Sequence, residues 1–231
     1  AEEYPDVIFL HCSGYLNNDT NFANYFGKMY QPRYLSGLAA GAMTDSNKIG
    51  YVAAFPIPEV IRGINAFAAG VNEVNPDATV EVVWTFTWFG PEAETQAANA
   101  LLEKGADVLA QHQDSTATGL AAEAAGAKWI SYNTAYGQDS APEAFVTAPV
   151  WDWGPYYVDV VESIIDGTFT TESYWGGMET GLVSLYDLSS DVPSETATLI
   201  AEKTEAIIDG TLEVAIVEEE FISNVIGTVN P

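Results

Sequence analysis

Residues 79–115 read TVEVVWTFTWFGPEAETQAANALLEKGADVLAQHQDS, and this stretch indicates the fold more clearly than any other. It begins with an apolar run typical of a buried strand, continues with helically spaced alanines and leucines after Pro91, and returns to a short apolar run after Gly105. Proline is tolerated in a first helical turn, and glycine commonly follows a last one. The order strand, helix, strand predicts a βαβ unit with parallel strands.

The same alternation extends in both directions along the chain. Strands are predicted at 7–12, 49–55, 79–87, 108–112, 129–132 and 145–150. Helices are predicted at 32–44, 58–74, 91–104, 116–125, 155–166 and 194–209. The polar segment TDSNK at 44–48 precedes a fresh strand, so a second unit is expected to begin near Lys48. These patterns predict an α/β fold with doubly wound parallel sheets.

Composition excludes several classes of protein. With 48% hydrophobic and 12% aromatic residues, the 231-residue chain is expected to fold around a substantial core. Its 33 acidic and 7 basic residues give a net charge of -26, which repels nucleic acid and anionic lipid surfaces. The acids are dispersed along predicted helices rather than gathered in a tail, which predicts a solvated acidic shell and a halophilic source.

Few residues are available for catalysis or metal binding. His11 and His112 are the only histidines and Cys12 the only cysteine, and their spacing matches no zinc motif. The sequence also lacks a GxSxG elbow and the glycine-rich phosphate loops. We expect no metal, no cofactor and no enzyme activity. A hydrolytic or sugar-processing site at 112–114 is the enzymatic alternative, although Asp114 or Ser115 more simply caps the following helix.

Aromatic and polar residues follow several of the predicted strands. Trp88, Trp151 and Trp153 lie where an apolar run gives way to a helix that opens with proline, although each ring could simply fill core. In open α/β sheets, ligands bind outside the carboxyl ends of the strands. The candidate ligand-binding residues are Trp88, His112, Gln113, Asp114, Asn133, Trp151 and Trp153. Hydrogen-bonding groups among aromatic walls predict a pocket for a planar heterocycle such as a purine or pyrimidine.

Five blocks of the sequence carry a resemblance to a known family. They lie at 25–67, 75–94 (NPDATVEVVWTFTWFGPEAE), 105–115 (GADVLAQHQDS), 148–157 (APVWDWGPYY) and 173–181 (SYWGGMETG). In this order and spacing, from about residue 4 to about residue 212, the chain resembles the basic membrane protein (BMP) family. These are substrate-binding lipoproteins of ABC importers, and the similarity extends to purine-nucleoside receptors. The resemblance implies a type I periplasmic-binding fold, with a ligand enclosed between two lobes joined by a hinge.

The resemblance also implies how the chain is divided. Residues 1–47 are expected to be a remnant of lobe 1, residues 48–145 lobe 2, and residues 146–172 a return to lobe 1. Residues 173–215 would complete lobe 2 and the hinge, and residues 216–231 would form a tail. Because 1–47 holds too few elements to cover its own apolar face, a preceding segment or a partner chain is expected to complete lobe 1.

Site residues and partners follow from the same resemblance. Trp88 takes the place of the aromatic that stacks on the base. Asn133 stands where nucleoside receptors carry an acid for the ribose hydroxyls, and Trp151 replaces their lysine, so a free nucleobase and a nucleoside are both open. The implied partners are a small-molecule ligand and an ABC permease. The implied location is periplasmic or extracellular, with a lipid anchor outside this chain. A module completed by another chain, or a ligand-binding sensor domain, are the alternatives.

Overall fold

The computed structural model describes residues 1–229. The strands are β1 (Phe9–Cys12), β2 (Phe22–Gly27), β3 (Lys48–Ala53), β4 (Thr79–Trp84), β5 (Val108–Gln111), β6 (Lys128–Ile130), β7 (Phe145–Thr147), β8 (Pro149–Trp151), β9 (Tyr174–Gly176), β10 (Val183–Leu185) and β11 (Val225–Ile226). The helices are α1 (Tyr30–Met43), α2 (Pro58–Val74), α3 (Pro91–Glu103), α4 (Ala117–Ala125), α5 (Gly137–Ser140), α6 (Gly154–Ile165) and α7 (Ser194–Ile208). None of these helices is both long enough and apolar enough to cross a membrane.

Two parallel sheets organise the chain, which confirms the predicted α/β fold. The larger sheet has six strands in the order β11-β4-β3-β5-β6-β7, all paired in parallel. The smaller sheet has the parallel order β1-β2-β9. Strands β8 and β10 form a separate antiparallel pair. Continuous burial along β5 and along β3 after its exposed first residue, Lys48, reflects cover on both faces of the larger sheet.

The direction of strand addition reverses inside the larger sheet. From β3 the chain passes through α2 to β4 on one side, and then through α3 to β5 on the other side of β3. The loops that leave β3 and β5 therefore diverge, and a crevice opens between them at the carboxyl ends of the strands. In doubly wound folds this switch point is where ligands bind.

Helices α1 and α2 pack unusually close together beside this sheet. A Cβ built at Gly37 would lie 2.0 Å from the Phe67 carbonyl oxygen, and one at Gly70 would lie 2.1 Å from that of Tyr34. Only glycine permits such an approach of two helix backbones. The close packing places α1 against α2. The boundary near residue 47 and the other predicted lobe limits stay predictions.

The sequence patterns located the helices better than the short strands. The predicted limits of α2 agree with the structure. In contrast, the predicted strand at 145–150 is two strands, because β7 joins the larger sheet and β8 pairs with β10. Pro149 lies at the division and has no N–H to continue a ladder. Strand β2 was not predicted because Asn24 and Gly27 interrupt its apolar run, and β9, β10 and β11 are only two or three residues long.

Candidate functional site

A cavity of about 890 Å³ opens between the two parallel sheets at the switch point. Its aromatic lining comprises Tyr15, Phe26, Trp88, Tyr132, Trp151, Tyr174 and Trp175. Its polar and charged lining comprises Ser13, Asn24, Glu59, Arg62, His112, Asp114, Asn133 and Ser173. The volume lies in the range typical of small-molecule sites, and a mixture of rings with a few polar groups is their usual lining.

The cavity has two walls of different origin. The strand-end wall consists of Trp88, His112, Asp114, Tyr132 and Asn133, which follow β4, β5 and β6 of the larger sheet. The aromatic wall consists of Tyr15, Phe26, Tyr174 and Trp175, which belong to the smaller sheet and its β1–β2 loop.

Trp151 joins these two walls. Its ring lies 5.1 Å from Phe26, and its Nε1 donates a 3.0 Å hydrogen bond to Asn133 Oδ1.

Five of the seven predicted residues line the cavity: Trp88, His112, Asp114, Asn133 and Trp151. The other two lie behind them. Gln113 is fully buried, donates to Thr85 Oγ1 at 2.7 Å and accepts from the His112 backbone N–H at 3.2 Å. It therefore holds the β5 end in place rather than facing a ligand.

Trp153 supports the cavity from outside. Its ring stacks on Trp151 with centroids 4.7 Å apart and planes at 14°, and its edge meets Tyr25 at 5.3 Å. The stack fixes the orientation of the Trp151 ring, which is the one that reaches the cavity. The choice between the two tryptophans depends on side-chain direction, which the sequence pattern does not report.

Asn133 is committed to its protein neighbours. Its Nδ2 donates to Asp114 Oδ1 at 2.5 Å, while its Oδ1 accepts from Trp151. Its φ of 68° lies in the left-handed region, which asparagine tolerates better than most residues. Burial raises the pKa of the Asp114 carboxyl, opposed by the charge of His112 and by the bond from Asn133. Asp114 rather than Asn133 thus has an oxygen available to a ligand.

A carboxylate that the sequence pattern does not single out faces His112. Glu59, in the first turn of α2, lies with Oε1 and Oε2 each 3.3 Å from His112 Nε2. His112 is only 4% exposed, between the rings of Trp88 at 5.6 Å and Tyr132 at 4.9 Å. Its Nδ1 is buried without a hydrogen-bond partner among residues 1–229.

The two arginines of the sequence both lie at this site. Arg33 is buried behind the strand-end wall, where its guanidinium packs 3.9 Å above the Tyr132 ring and donates to the Gln111 carbonyl oxygen at 2.7 Å. Arg62 lines the cavity, pairs with Glu218 at 2.7 Å and lies 5.6 Å from the Trp175 ring on the aromatic wall. Both arginines of the strongly acidic chain therefore lie at the cavity, together with the carboxylates of Glu59 and Asp114.

The segment that carries Glu218 is fastened along α2. Asn65 Nδ2 donates to the carbonyl oxygens of Val217 at 2.9 Å and Glu220 at 2.7 Å, and Asn65 Oδ1 accepts from the Ile222 N–H at 3.1 Å. Residues near the end of the chain thereby position Arg62 from the far side of α2. Such a contact joins residues over 150 positions apart, and no local signal in the sequence indicates it.

The segment at 112–115 is tied to the start of α4 by Ser115. Ser115 Oγ accepts from the Ala117 N–H at 3.2 Å, whereas the N-cap residue itself is Thr116, without a side-chain capping bond, and not Asp114 or Ser115 as predicted. Ser115 also donates to Glu94, whose other oxygen accepts from the Gly90 N–H at 2.8 Å. In the described part of the chain, no group of three or more His, Cys, Asp or Glu side chains is arranged to hold a metal ion.

Comparisons with known proteins bear on the fold first. The structure superposes on a solute-binding protein of an ABC transporter system from Conexibacter woesei with a TM-score of 0.74 and 25% identity, covering 94% of this chain and 74% of that one. It also superposes on an ABC solute-binding protein from Aeropyrum pernix with a TM-score of 0.82 over 95% of this chain and 73% of that one, at 16% identity. The predicted type I periplasmic-binding fold is confirmed.

Two curated relatives are similar over nearly the whole sequence. A Haloferax volcanii protein named as an ABC transporter glucose-binding protein is 45% identical over 93% of this chain. A purine-binding protein of Brucella abortus is 40% identical over 90% of this chain. The chain spans 54% and 58% of the lengths of these relatives. Residues 1–217 match the family described as Bmp, ABC transporter substrate-binding protein PnrA-like, and the chain belongs to this family.

Proposed function

We propose that the protein binds a purine base or purine nucleoside in the cavity between its two walls and presents it to an ABC permease. The observation that carries this proposal is the lining itself, in which seven aromatic side chains surround a small set of polar groups. Family membership and the Brucella relative named as purine-binding support the same ligand class. As in other members of this family, the receptor would act outside the cytoplasm, held to the membrane by a lipid anchor outside this chain.

Aromatic stacking would supply much of the affinity for the base, and hydrogen bonds to its edge would supply the selectivity. Base–aromatic stacking contributes about 1–3 kcal/mol per base, so rings on both walls could supply much of a micromolar affinity of about 8 kcal/mol. Movement of the aromatic wall toward the strand-end wall about a hinge would then exclude water. Once the edge of the base is buried, an unmatched polar group costs about 1–3 kcal/mol, and selectivity follows from the polar groups.

The contacts of Asn133 indicate that ribose would add little to the affinity for a nucleoside. Its amide already bonds Asp114 and Trp151, so it has little capacity left for sugar hydroxyls. We therefore expect adenine to bind within about tenfold of adenosine, a difference of less than about 1.4 kcal/mol.

A hexose is the second candidate, because the Haloferax relative is named as glucose-binding and is 45% identical to this chain. Native mass spectrometry of the purified protein would reveal a co-purifying ligand by its mass. Calorimetric titrations with adenine, adenosine, guanosine and glucose would then rank the two classes. Micromolar or tighter binding of a purine with no heat from glucose is the expected result. Binding of glucose alone would overturn the purine proposal, and a thousandfold preference for adenosine over adenine would overturn the minor role of ribose.

A further inference from the structure

Two helices of this chain begin with the same pair of residues but meet different surroundings. Helix α2 opens with Pro58 and Glu59, and helix α3 opens with Pro91 and Glu92. The N-cap residues, Ile57 and Gly90, have no side chain that caps either helix. A carboxylate in a first helical turn interacts favourably with the helix dipole, which accounts for an acid at both places. Only Glu59 also lines the cavity, whereas Glu92 is exposed and lies outside it.

The surroundings of Glu59 keep its side chain ionised. Burial acts to raise the pKa of the carboxyl, but the charges of His112, Arg62 and Arg33 and the bond to His112 outweigh it, so the pKa is lowered. An ionised carboxylate only accepts hydrogen bonds, and its two oxygens offer about four acceptor positions. The ring of His112 occupies one direction, which leaves acceptor capacity facing the cavity.

Several donors of the cavity are already bonded to protein. Asn133 donates to Asp114, and Trp151 donates to Asn133. Asn24 donates to Ser173 Oγ at 2.9 Å. Apart from the remaining N–H groups of Arg62, whose Nη1 donates to Glu218, the carboxylates of Glu59 and Asp114 thus bias the uncommitted groups of the cavity toward acceptors. A ligand that is buried here has to bring hydrogen-bond donors, which are N–H groups in a purine base and O–H groups in a sugar, because a carboxylate without partners in a closed site is costly.

We infer that Glu59, held by His112, accepts a hydrogen bond from an N–H group on the six-membered ring edge of the bound base. This inference rests on the proposed function and names the chemistry that the same site selects. The donor is either an exocyclic amine, as in adenine, or a ring N–H, as in hypoxanthine. Glu59 then determines which ligand binds, whereas Glu92, the equivalent residue of α3, interacts only with the dipole of its helix.

Matched ligands and matched variants test the assignment. Adenine and purine differ by the exocyclic amine, and hypoxanthine and 1-methylhypoxanthine differ by the ring N–H. Calorimetry on the wild type, Glu59→Gln and Glu92→Gln would give both affinity ratios for each protein. Glutamine keeps the size of the side chain but removes its charge and adds a donor. Both variants lose the same helix-terminal charge, and their melting temperatures would establish that both are folded.

In the wild type and in Glu92→Gln, we expect at least one donor-bearing ligand to bind at least about tenfold more tightly than its partner, equivalent to about 1.4 kcal/mol. In Glu59→Gln that ratio should fall to within about threefold. The pair that responds identifies the amine or the ring N–H as the donor. Equal affinities within both wild-type pairs, or a ratio that survives Glu59→Gln, would overturn the inference while leaving purine binding intact. Failure of all four bases and of the nucleosides adenosine and guanosine to bind would overturn the proposed function itself.

Discussion

The two walls of the cavity differ in how firmly the protein holds them. On the strand-end wall, His112 and Tyr132 are 4% and 8% exposed. Glu59 and Gln113 contact His112, and Arg33 packs on the Tyr132 ring. On the aromatic wall, Tyr15 is 88% exposed, whereas Trp175, at 41%, is as exposed as Trp88 of the strand-end wall, at 42%. Few contacts restrain an exposed side chain such as Tyr15, so the β1–β2 loop that carries it can adapt to a ligand at low cost. We therefore expect the strand-end wall to select the ligand and the aromatic wall to enclose it.

Disrupting the packing of α1 against α2, which supports the strand-end wall, is expected to have the largest effect on the protein. Gly70→Ala places a Cβ 2.1 Å from the Tyr34 carbonyl oxygen, so α1 and α2 must separate. We expect a loss of about 3 kcal/mol or more in the free energy of unfolding, at the upper end of overpacking effects. Denaturant titration measures it.

Gly63→Ala is the matched control in the same helix, because a Cβ built at Gly63 would meet only Arg33 side-chain atoms, 4.0 Å away. There the better helix propensity of alanine should leave stability unchanged or raise it by up to about 1 kcal/mol. Equal losses for the two variants would contradict the close approach of α1 and α2.

Replacing one tryptophan on each wall by alanine shows how much each wall contributes to the affinity for a purine. Trp88→Ala should weaken purine binding at least about tenfold, the lower end for a lost stack. Trp175→Ala should weaken it by less than about threefold, since its ring is already engaged by Arg62 and Tyr30 and contributes less free face to a base. Calorimetry on both folded variants gives the two ratios. An unchanged affinity for Trp88→Ala, or a larger loss for Trp175→Ala, would reverse the roles of the walls.

Salt should change the repulsion among the surface carboxylates more than it changes ligand binding by either wall of the cavity. With a net charge of -26, repulsion among surface carboxylates is expected to destabilise the folded chain at low ionic strength. The melting temperature should rise between low salt and about 1 M, for both sodium and potassium chloride. Replacing about ten dispersed acids by Asn or Gln should flatten the slope without abolishing ligand binding. A melting temperature that is constant across this range would refute the halophilic interpretation.

Much of the larger sheet was predictable because its signals are local. Strands buried on both faces read as apolar runs, and helices α2 and α3 open with proline at the predicted residue. The position of Trp88, His112 and Asp114 at strand ends followed from the same alternation. In the smaller sheet only β1 was predicted, because Asn24 interrupts the apolar run of β2, and β9 has only three residues and lies far from β2 in sequence.

The sequence by itself determined the α/β class, the limits of α2 and the acidic surface. All three depend on periodicity or composition within a short window. Only the tertiary structure decided that Glu59 faces the cavity while Glu92 does not, although both follow a proline at a helix start. It also decided that Trp151 rather than Trp153 reaches the cavity. These outcomes depend on side-chain direction and on contacts between residues distant in the chain, such as Arg62 with Glu218, which no local pattern encodes.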